Sequence, residues 1–84
     1  MRYYLVTIQF NKEAGAENRT VPKAFDTKND AEQAFHEQVA KDMKNNTLGW
    51  SLNMVINDTG YAELTKKWVR TESNVEVVEQ QSVL

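Results

Sequence analysis

The sequence has a single histidine, His36, the residue type most often used for acid–base catalysis, and any search for catalysis starts there. Glu32 precedes it by one helical turn, a spacing that can orient an imidazole for acid–base work. The chain has no cysteine, and no serine stands in a recognisable nucleophile turn. Because a base without a nucleophile or an oxyanion donor is ordinary surface chemistry, we predict no catalytic residue and no enzyme activity.

Acidic side chains are numerous but scattered along the chain. They follow neither the spacing of a calcium-binding loop nor that of a compact carboxylate cluster. A single histidine and no cysteine exclude the usual ligand sets of structural zinc. The three glycines are isolated, and no phosphate-binding fingerprint is present. We therefore predict no metal, no cofactor and no small-molecule substrate.

A local positive charge on Lys66, Lys67 and Arg70 lies beside Trp68. This basic edge is the one feature that favours nucleic-acid binding. The same cations can also lay their stems over a core or keep an edge strand from pairing with other chains. The chain as a whole has a net charge of -2. Nucleic-acid association through these three residues is therefore the alternative hypothesis, ranked below protein interaction.

Two strand-like runs between Leu48 and Val69, joined by Asn57-Asp58-Thr59-Gly60, predict a β-hairpin. Apolar and polar residues alternate along the first run with the period of a strand that has one buried face. Asn, Asp and Gly supply the turn. The tryptophans, Trp50 on one run and Trp68 on the other, are expected to be cross-strand partners in the core.

Two further strands are predicted before the hairpin. Residues 2–10 alternate with a period of two and indicate a central strand. Arg19 to Phe25 predicts its return, and Pro22 places that strand at an edge because proline has no amide donor.

A helix is predicted from Thr27 to about Asn45. Thr27 is a suitable N-cap, and Asp30 stands at the third helical position, where a carboxylate favours the positive end of the helix dipole. The apolar stripe has three-and-four spacing and consists of Ala31, Ala34, Phe35, Val39 and Met43.

These elements predict an α+β fold: a mostly antiparallel sheet of three to five strands in β-β-α-β-β order, with one helix across one face. Residues 1–72 form a single domain, and residues 73–84 form a C-terminal tail or an extra edge strand. The sequence shows no signal-peptide core and no run long enough to span a bilayer, so we expect a cytoplasmic protein.

One helix can cover only one face of such a sheet. We expect it to cover the larger apolar set, which comprises Tyr4, Val6, Ile8, Phe10, Trp50, Leu52, Met54, Ile56, Leu64 and Trp68. The uncovered face is then half apolar, through Tyr3, Leu5, Val55, Tyr61 and Val69. Contiguous exposed apolar area commonly marks an interface, so these five residues are the predicted protein-binding site, with a homodimer or another protein as the partner.

Four segments together resemble small uncharacterised proteins encoded by phages and mobile elements of Gram-positive bacteria. The segments are Tyr3-Tyr4-Leu5-Val6-Thr7, Pro22-Lys23-Ala24-Phe25-Asp26-Thr27, Phe35-His36 and the Asn57-Asp58-Thr59-Gly60 turn. The resemblance is one of layout and covers residues 1 to about 70. It implies a small accessory protein that binds a host or phage protein, and it carries no catalytic residue.

Overall fold

Residues 1–72 and 74–82, which the computed structural model describes, form six β-strands and one α-helix. In chain order they are β1 (Tyr3–Asn11), β2 (Ala16–Arg19), β3 (Lys23–Phe25), α1 (Lys28–Lys44), β4 (Leu48–Asn57), β5 (Ala62–Arg70) and β6 (Val75–Ser82). The α+β class, with one helix on an antiparallel sheet, is confirmed. The predicted strand count and order need correction, since the order is β-β-β-α-β-β-β.

The described strands belong to one antiparallel sheet in the order β2-β1-β4-β5-β6, and β3 also pairs with β1. The central pair, β1 and β4, is in register from Tyr3 opposite Asn57 to Phe10 opposite Trp50, and the register then shifts so that Asn11 lies opposite Leu48. β4 is the third of the five strands along this order, so it runs through the middle of the sheet.

The strand predicted from Arg19 to Phe25 is present only in part: β3 forms its end, whereas β2 precedes it and overlaps it at Arg19 alone, and both short strands share one edge of the sheet. Pro22 lies between them, and its missing amide interrupts the pairing. The chain nevertheless stays on β1 there, because the amide of Thr20 donates to the carbonyl of Thr7 (3.1 Å).

The β4–β5 hairpin is present as predicted, and the side chain of Asn57 organises its turn. Asn57 Oδ1 accepts hydrogen bonds from the amides of Thr59 (3.0 Å) and Tyr61 (3.1 Å). Gly60 has a φ of 85°, in the left-handed region that favours glycine.

The segment after β5 forms strand β6 at the second edge of the sheet. It pairs with β5 from Arg70 opposite Val75 to Leu64 opposite Ser82. Of the two predictions for residues 73–84, the described part therefore shows the extra edge strand. Residues 73, 83 and 84 lie outside the described residues.

The helix starts and ends close to its predicted limits, and its predicted apolar stripe packs against the sheet. The core joins α1 to the central strands and β5 through Leu5, Ala31, Phe35, Val39, Val55 and Leu64. At 17 residues, α1 lacks the length and apolarity of a membrane-spanning helix.

Replacing the N-cap residue Thr27 with Ala is expected to lower the free energy of unfolding by about 1 kcal/mol. The Thr27 hydroxyl accepts a hydrogen bond from the amide of Asp30 (3.1 Å), and alanine leaves that donor without its cap. Urea denaturation measures the change. Thr27→Ser is the matched control, because serine keeps the acceptor, and equal losses in both variants would contradict the assignment.

Trp50 and Trp68 lie on opposite faces of the sheet, so the prediction that they are core partners is wrong. Trp68 is opposite Ser51, and Trp50 is opposite Val69. Trp68 is fully buried on the helix side, whereas Trp50 is half-buried on the other side. A displacement of one residue in the pairing is enough to change the face, because side chains alternate along a strand.

Candidate functional site

The face of the sheet opposite α1 carries a continuous apolar surface, called the open face below. It consists of Tyr4, Val6, Ile8, Phe10, Trp50, Leu52, Met54, Ile56 and Val69. Each of these side chains is half-buried, although α1 packs on the other face. The partial burial comes from neighbours on adjacent strands, which shield one another.

An aromatic stack lies at one end of the open face. The rings of Phe10 and Trp50 are stacked, with centroids 6.0 Å apart and an interplanar angle of 4°. Gly49 leaves room for this arrangement, since a Cβ there would lie 3.0 Å from Cδ2 of Phe10. Nζ of Lys67 lies 4.8 Å from the Trp50 ring centroid, within cation–π range. The stack is thus an apolar anchor with a cation at its border.

Charged side chains border the open face on both sides. On β2, Arg19 Nη2 and Glu17 Oε2 lie 3.7 Å apart. On β5 and β6, the corresponding positions hold Lys67, Glu76 and Glu79. An apolar centre with a polar rim is the usual anatomy of a protein interface.

Three of the five residues predicted for the uncovered face lie on the helix side instead. Leu5 is 4% exposed and Val55 is fully buried beneath α1, and Tyr3 packs against the same core. Val69 does lie on the open face, and Tyr61 is exposed beside the hairpin turn. The prediction exchanged the two faces of β1 and β4. Alternation shows which residues share a face but not which face is covered.

A buried polar cluster ties the helix to the less apolar face of the sheet. At its centre is Asp42 of α1, which is 1% exposed. Its carboxylate accepts two hydrogen bonds at each oxygen, from Gln9 (2.7 Å), Gln38 (2.8 Å), Ser51 (2.5 Å) and Asn53 (3.0 Å). The polar residues of β1 and β4 that a sequence pattern assigns to solvent are therefore buried and paired.

All hydrogen-bond acceptor positions of the Asp42 carboxylate are occupied by protein donors, so the cluster has a structural role in holding the helix to the sheet. A carboxylate offers about four lone-pair sites, and all are used by these donors. Ser51 is itself fully buried, so no substrate reaches its hydroxyl. A cavity of about 380 Å³ opens beside the cluster, with Lys23 and Lys41 in its lining. Asp42 has no free acceptor position with which to hold a ligand there.

The predicted basic edge is divided between the two faces of the sheet. Lys67 borders the open face, whereas Lys66 and Arg70 lie on the helix side. The Arg70 guanidinium is occupied in the structure, since it donates to the carbonyls of Leu48, Met43 and Asn45. The three cations thus form no common surface for a phosphate backbone.

His36 is exposed on α1, and its ring lies edge-on to Phe35 with centroids 5.2 Å apart. In residues 1–72 and 74–82, no group of three or more His, Cys, Asp or Glu side chains is placed to hold a metal ion. The absence of enzyme activity, metals and cofactors remains a prediction.

The sequence carries a signal for the buried role of Asp42. Asp42 follows Phe35 by seven residues and Val39 by three, so helical spacing places it on the apolar stripe. A carboxylate on that stripe requires polar partners on the facing strands, and Gln9 and Ser51 are among them. This requirement would have turned the polar sides of β1 and β4 toward the helix.

Two places in the fold compete for a functional role, the open face and the Asp42 cluster. The acceptor positions of the Asp42 carboxylate are all used, whereas the open face is contiguous, apolar and uncovered by α1. The open face is therefore the candidate site. No known protein family, characterised protein or solved structure matches this chain.

Proposed function

We propose that this chain is a non-enzymatic protein-interaction module whose binding surface is the open face. The observation that carries the proposal is the contiguous set of nine large apolar side chains on the side of the sheet away from α1. Monomeric proteins rarely leave such a surface in water, and larger exposed apolar patches commonly mark interfaces.

The strength of the interaction comes from burial of apolar area. Each Å² of apolar surface removed from water contributes about 25 cal/mol. The stacked rings of Phe10 and Trp50 supply the large, rigid contact area that is typical of interface anchors. The accessory role implied by the resemblance to phage and mobile-element proteins is compatible with such a module and belongs to the same proposal.

The alternative proposal is nucleic-acid association. The predicted basic edge no longer supports it, since Arg70 donates to backbone carbonyls. What favours it is the Trp50 ring with Lys67 above it, a pair on which a base can stack. It predicts oligonucleotide binding that weakens steeply with salt. No binding at low salt removes it.

The oxidation rate of Met54 by hydrogen peroxide tests the proposed function. Met54 is half-buried on the open face, and Met43, also half-buried, lies on the helix side as an internal control. We expect Met54 to be oxidised quickly in dilute purified protein. It should be protected when the protein is concentrated or placed in extract of the cells that make it, while Met43 reacts at one rate throughout.

The variant Leu52→Lys shows whether protection depends on the open face. It places a charge among the apolar side chains and should remove the protection of Met54, whereas Ala40→Lys on the exposed surface of α1 should not. Met54 oxidation that is equally fast in dilute protein, concentrated protein and extract would overturn the proposed function.

A further inference from the structure

We infer that the cavity beside the Asp42 cluster binds a free α-amino acid with an apolar side chain. The cavity lies on the helix side of the sheet, between α1, β1 and the segment from Thr20 to Lys23. Its volume is about 380 Å³. Pockets for small molecules range from about 300 to 1,000 Å³, so this cavity suits a small ligand. The inference is independent of the proposed function, because the open face takes no part in this site.

The inner wall of the cavity offers hydrogen-bond acceptors. Gln9 and Gln38 each donate through Nε2 to Oδ1 of Asp42, at 2.7 and 2.8 Å. A carboxylate only accepts hydrogen bonds, so it fixes both amides with their NH₂ groups toward it and their oxygens directed away. Neither amide oxygen accepts a hydrogen bond within residues 1–72 and 74–82, and both side chains line the cavity. Two acceptors are therefore available to an ammonium group.

The Asp42 carboxylate adds a negative charge behind these two amides. Its four donors are neutral amide and hydroxyl groups. Among the described residues no cation forms an ion pair with it, and it is 1% exposed. A buried charge without a counter-charge is unfavourable. An ammonium group held at the amide oxygens therefore lowers the cost of burying this carboxylate, although it forms no direct bond to Asp42.

Two lysines from different elements stand at the exposed rim of the cavity. Lys23 belongs to β3 and Lys41 to α1, and both side chains line the cavity. Neither forms an ion pair in the part of the chain that the structure describes. Glu37, one helical turn before Lys41, lines the neighbouring recess instead. The two ammonium groups are thus free to donate charge-assisted hydrogen bonds to a carboxylate.

The distribution of charge across the cavity is complementary to a zwitterion. Acceptors and a negative charge lie inside, and positive charges lie at the rim. A free amino acid carries an ammonium and a carboxylate group on one carbon atom, so it satisfies both ends at once. Either terminus of a peptide carries only one of the two groups, which favours the free amino acid as the ligand.

An adjoining recess provides room for the side chain of the ligand. Leu5, Lys23, Gln38 and Lys41 line both the cavity and the recess. The recess is also lined by Phe25 and Ala34, which are half-buried and pack against the core. Because these contacts are apolar, the side chain that fits them is aliphatic, and leucine is a suitable probe.

Titration of leucine into the isotope-labelled full chain, followed by NMR, tests the inference. The amide signals of Thr7, Lys23 and Gln38 should shift together, with a common Kd on the order of 0.1–1 mM. Leucinamide lacks the carboxylate and isocaproate lacks the ammonium group, so each should bind at least roughly 10-fold more weakly. Binding of isocaproate as tight as that of leucine would overturn the zwitterion. No shift at these amides up to about 20 mM leucine, or shifts confined to the open face, would overturn the site.

Two lysine variants separate binding at the rim from a general effect of charge. Lys41→Gln should raise the Kd for leucine by at least roughly 5-fold, because it removes a charged donor to the carboxylate. Lys23→Gln should act in the same direction. Lys44→Gln is the matched control: it makes the same change on the same helix, at an exposed side chain that does not line the cavity. Equal effects of Lys41→Gln and Lys44→Gln would contradict the inference.

Discussion

Replacing Asp42 with Asn is expected to lower the free energy of unfolding by about 2–4 kcal/mol. A chain of this length has a total stability of about 4–12 kcal/mol, so the loss is a large fraction of it. Urea denaturation followed by circular dichroism measures the change. The midpoint should fall with little change in slope, because the surface exposed on unfolding remains the same.

The physical reason is the mismatch between an amide and four donors. The Asp42 carboxylate accepts two hydrogen bonds at each oxygen, and the donors are amide and hydroxyl groups. Asparagine keeps one acceptor oxygen and presents an NH₂ group to the remaining two donors. Two of these donors, on Ser51 and Asn53, are buried between α1 and the sheet, where an unsatisfied polar group costs more than a lost bond in water.

Asp26→Asn is the matched control, since it makes the same chemical change at a side chain that is 85% exposed. Its ionic partner Arg2 is also exposed, and such surface pairs contribute little. We expect the free energy of unfolding of this variant to lie within about 0.5 kcal/mol of that of the parent. Similar losses of unfolding free energy for the two variants would show that the hydrogen bonds of Asp42 do not stabilise the contact between helix and sheet.

Local signals in the sequence were sufficient to predict the helix and the hairpin. Thr27 caps the helix, and Asn57 organises the turn through bonds to residues within four positions. Interactions of this kind depend on near neighbours, so a single sequence contains them. The bounds of β2 (Ala16–Arg19) and β3 (Lys23–Phe25) were harder to predict, because the pairing partner of each strand lies on β1.

The assignment of the two sheet faces was not available from alternation alone. The larger apolar side chains of β1 and β4, such as Phe10 and Trp50, suggested the covered face by size. The structure covers the other face, because Asp42 on the helix requires the polar side chains that alternate with them. A long-range polar contact, together with the apolar core of Leu5, Val55 and Leu64, therefore holds this face against α1 and leaves the other apolar set free to form the candidate interface.

Arg70 shows the same dependence on distant contacts. A basic residue beside Trp68 is compatible with a phosphate-binding edge, yet its guanidinium reaches carbonyls at the end of α1 and at the start of β4. Nε donates to Leu48 (3.0 Å), and Nη2 donates to Met43 (2.8 Å) and Asn45 (3.2 Å). It also lies over the Trp68 ring, 5.2 Å from the centroid. Arg70 thus fastens the end of α1 and the start of β4 to β5.

Replacing Arg70 with Met is accordingly expected to lower the free energy of unfolding by about 2–3 kcal/mol. Methionine preserves an unbranched stem over Trp68 but removes every donor to the three carbonyls. The last carbonyls of a helix have no partner within the helix, so they depend on such external donors. Hydrogen exchange should quicken most at the C-terminal turn of α1 and at Leu48, whose amide is bonded to the Asn45 carbonyl (3.1 Å).

The variant Lys66→Met, on the same strand, distinguishes hydrogen bonding by Arg70 from a general effect of positive charge on β5. It removes the same unit charge from the same side of β5, but Lys66 is not among the donors that bind the helix end. We expect it to change the stability by no more than about 0.5 kcal/mol. Equal losses for Arg70→Met and Lys66→Met would mean that positive charge on β5, rather than hydrogen bonding to the helix end, stabilises this part of the fold. A selective loss for Arg70 assigns this residue to the fold, so that of the three cations of the predicted basic edge only Lys67 borders the open face, and an interface there must then be dominated by apolar contact.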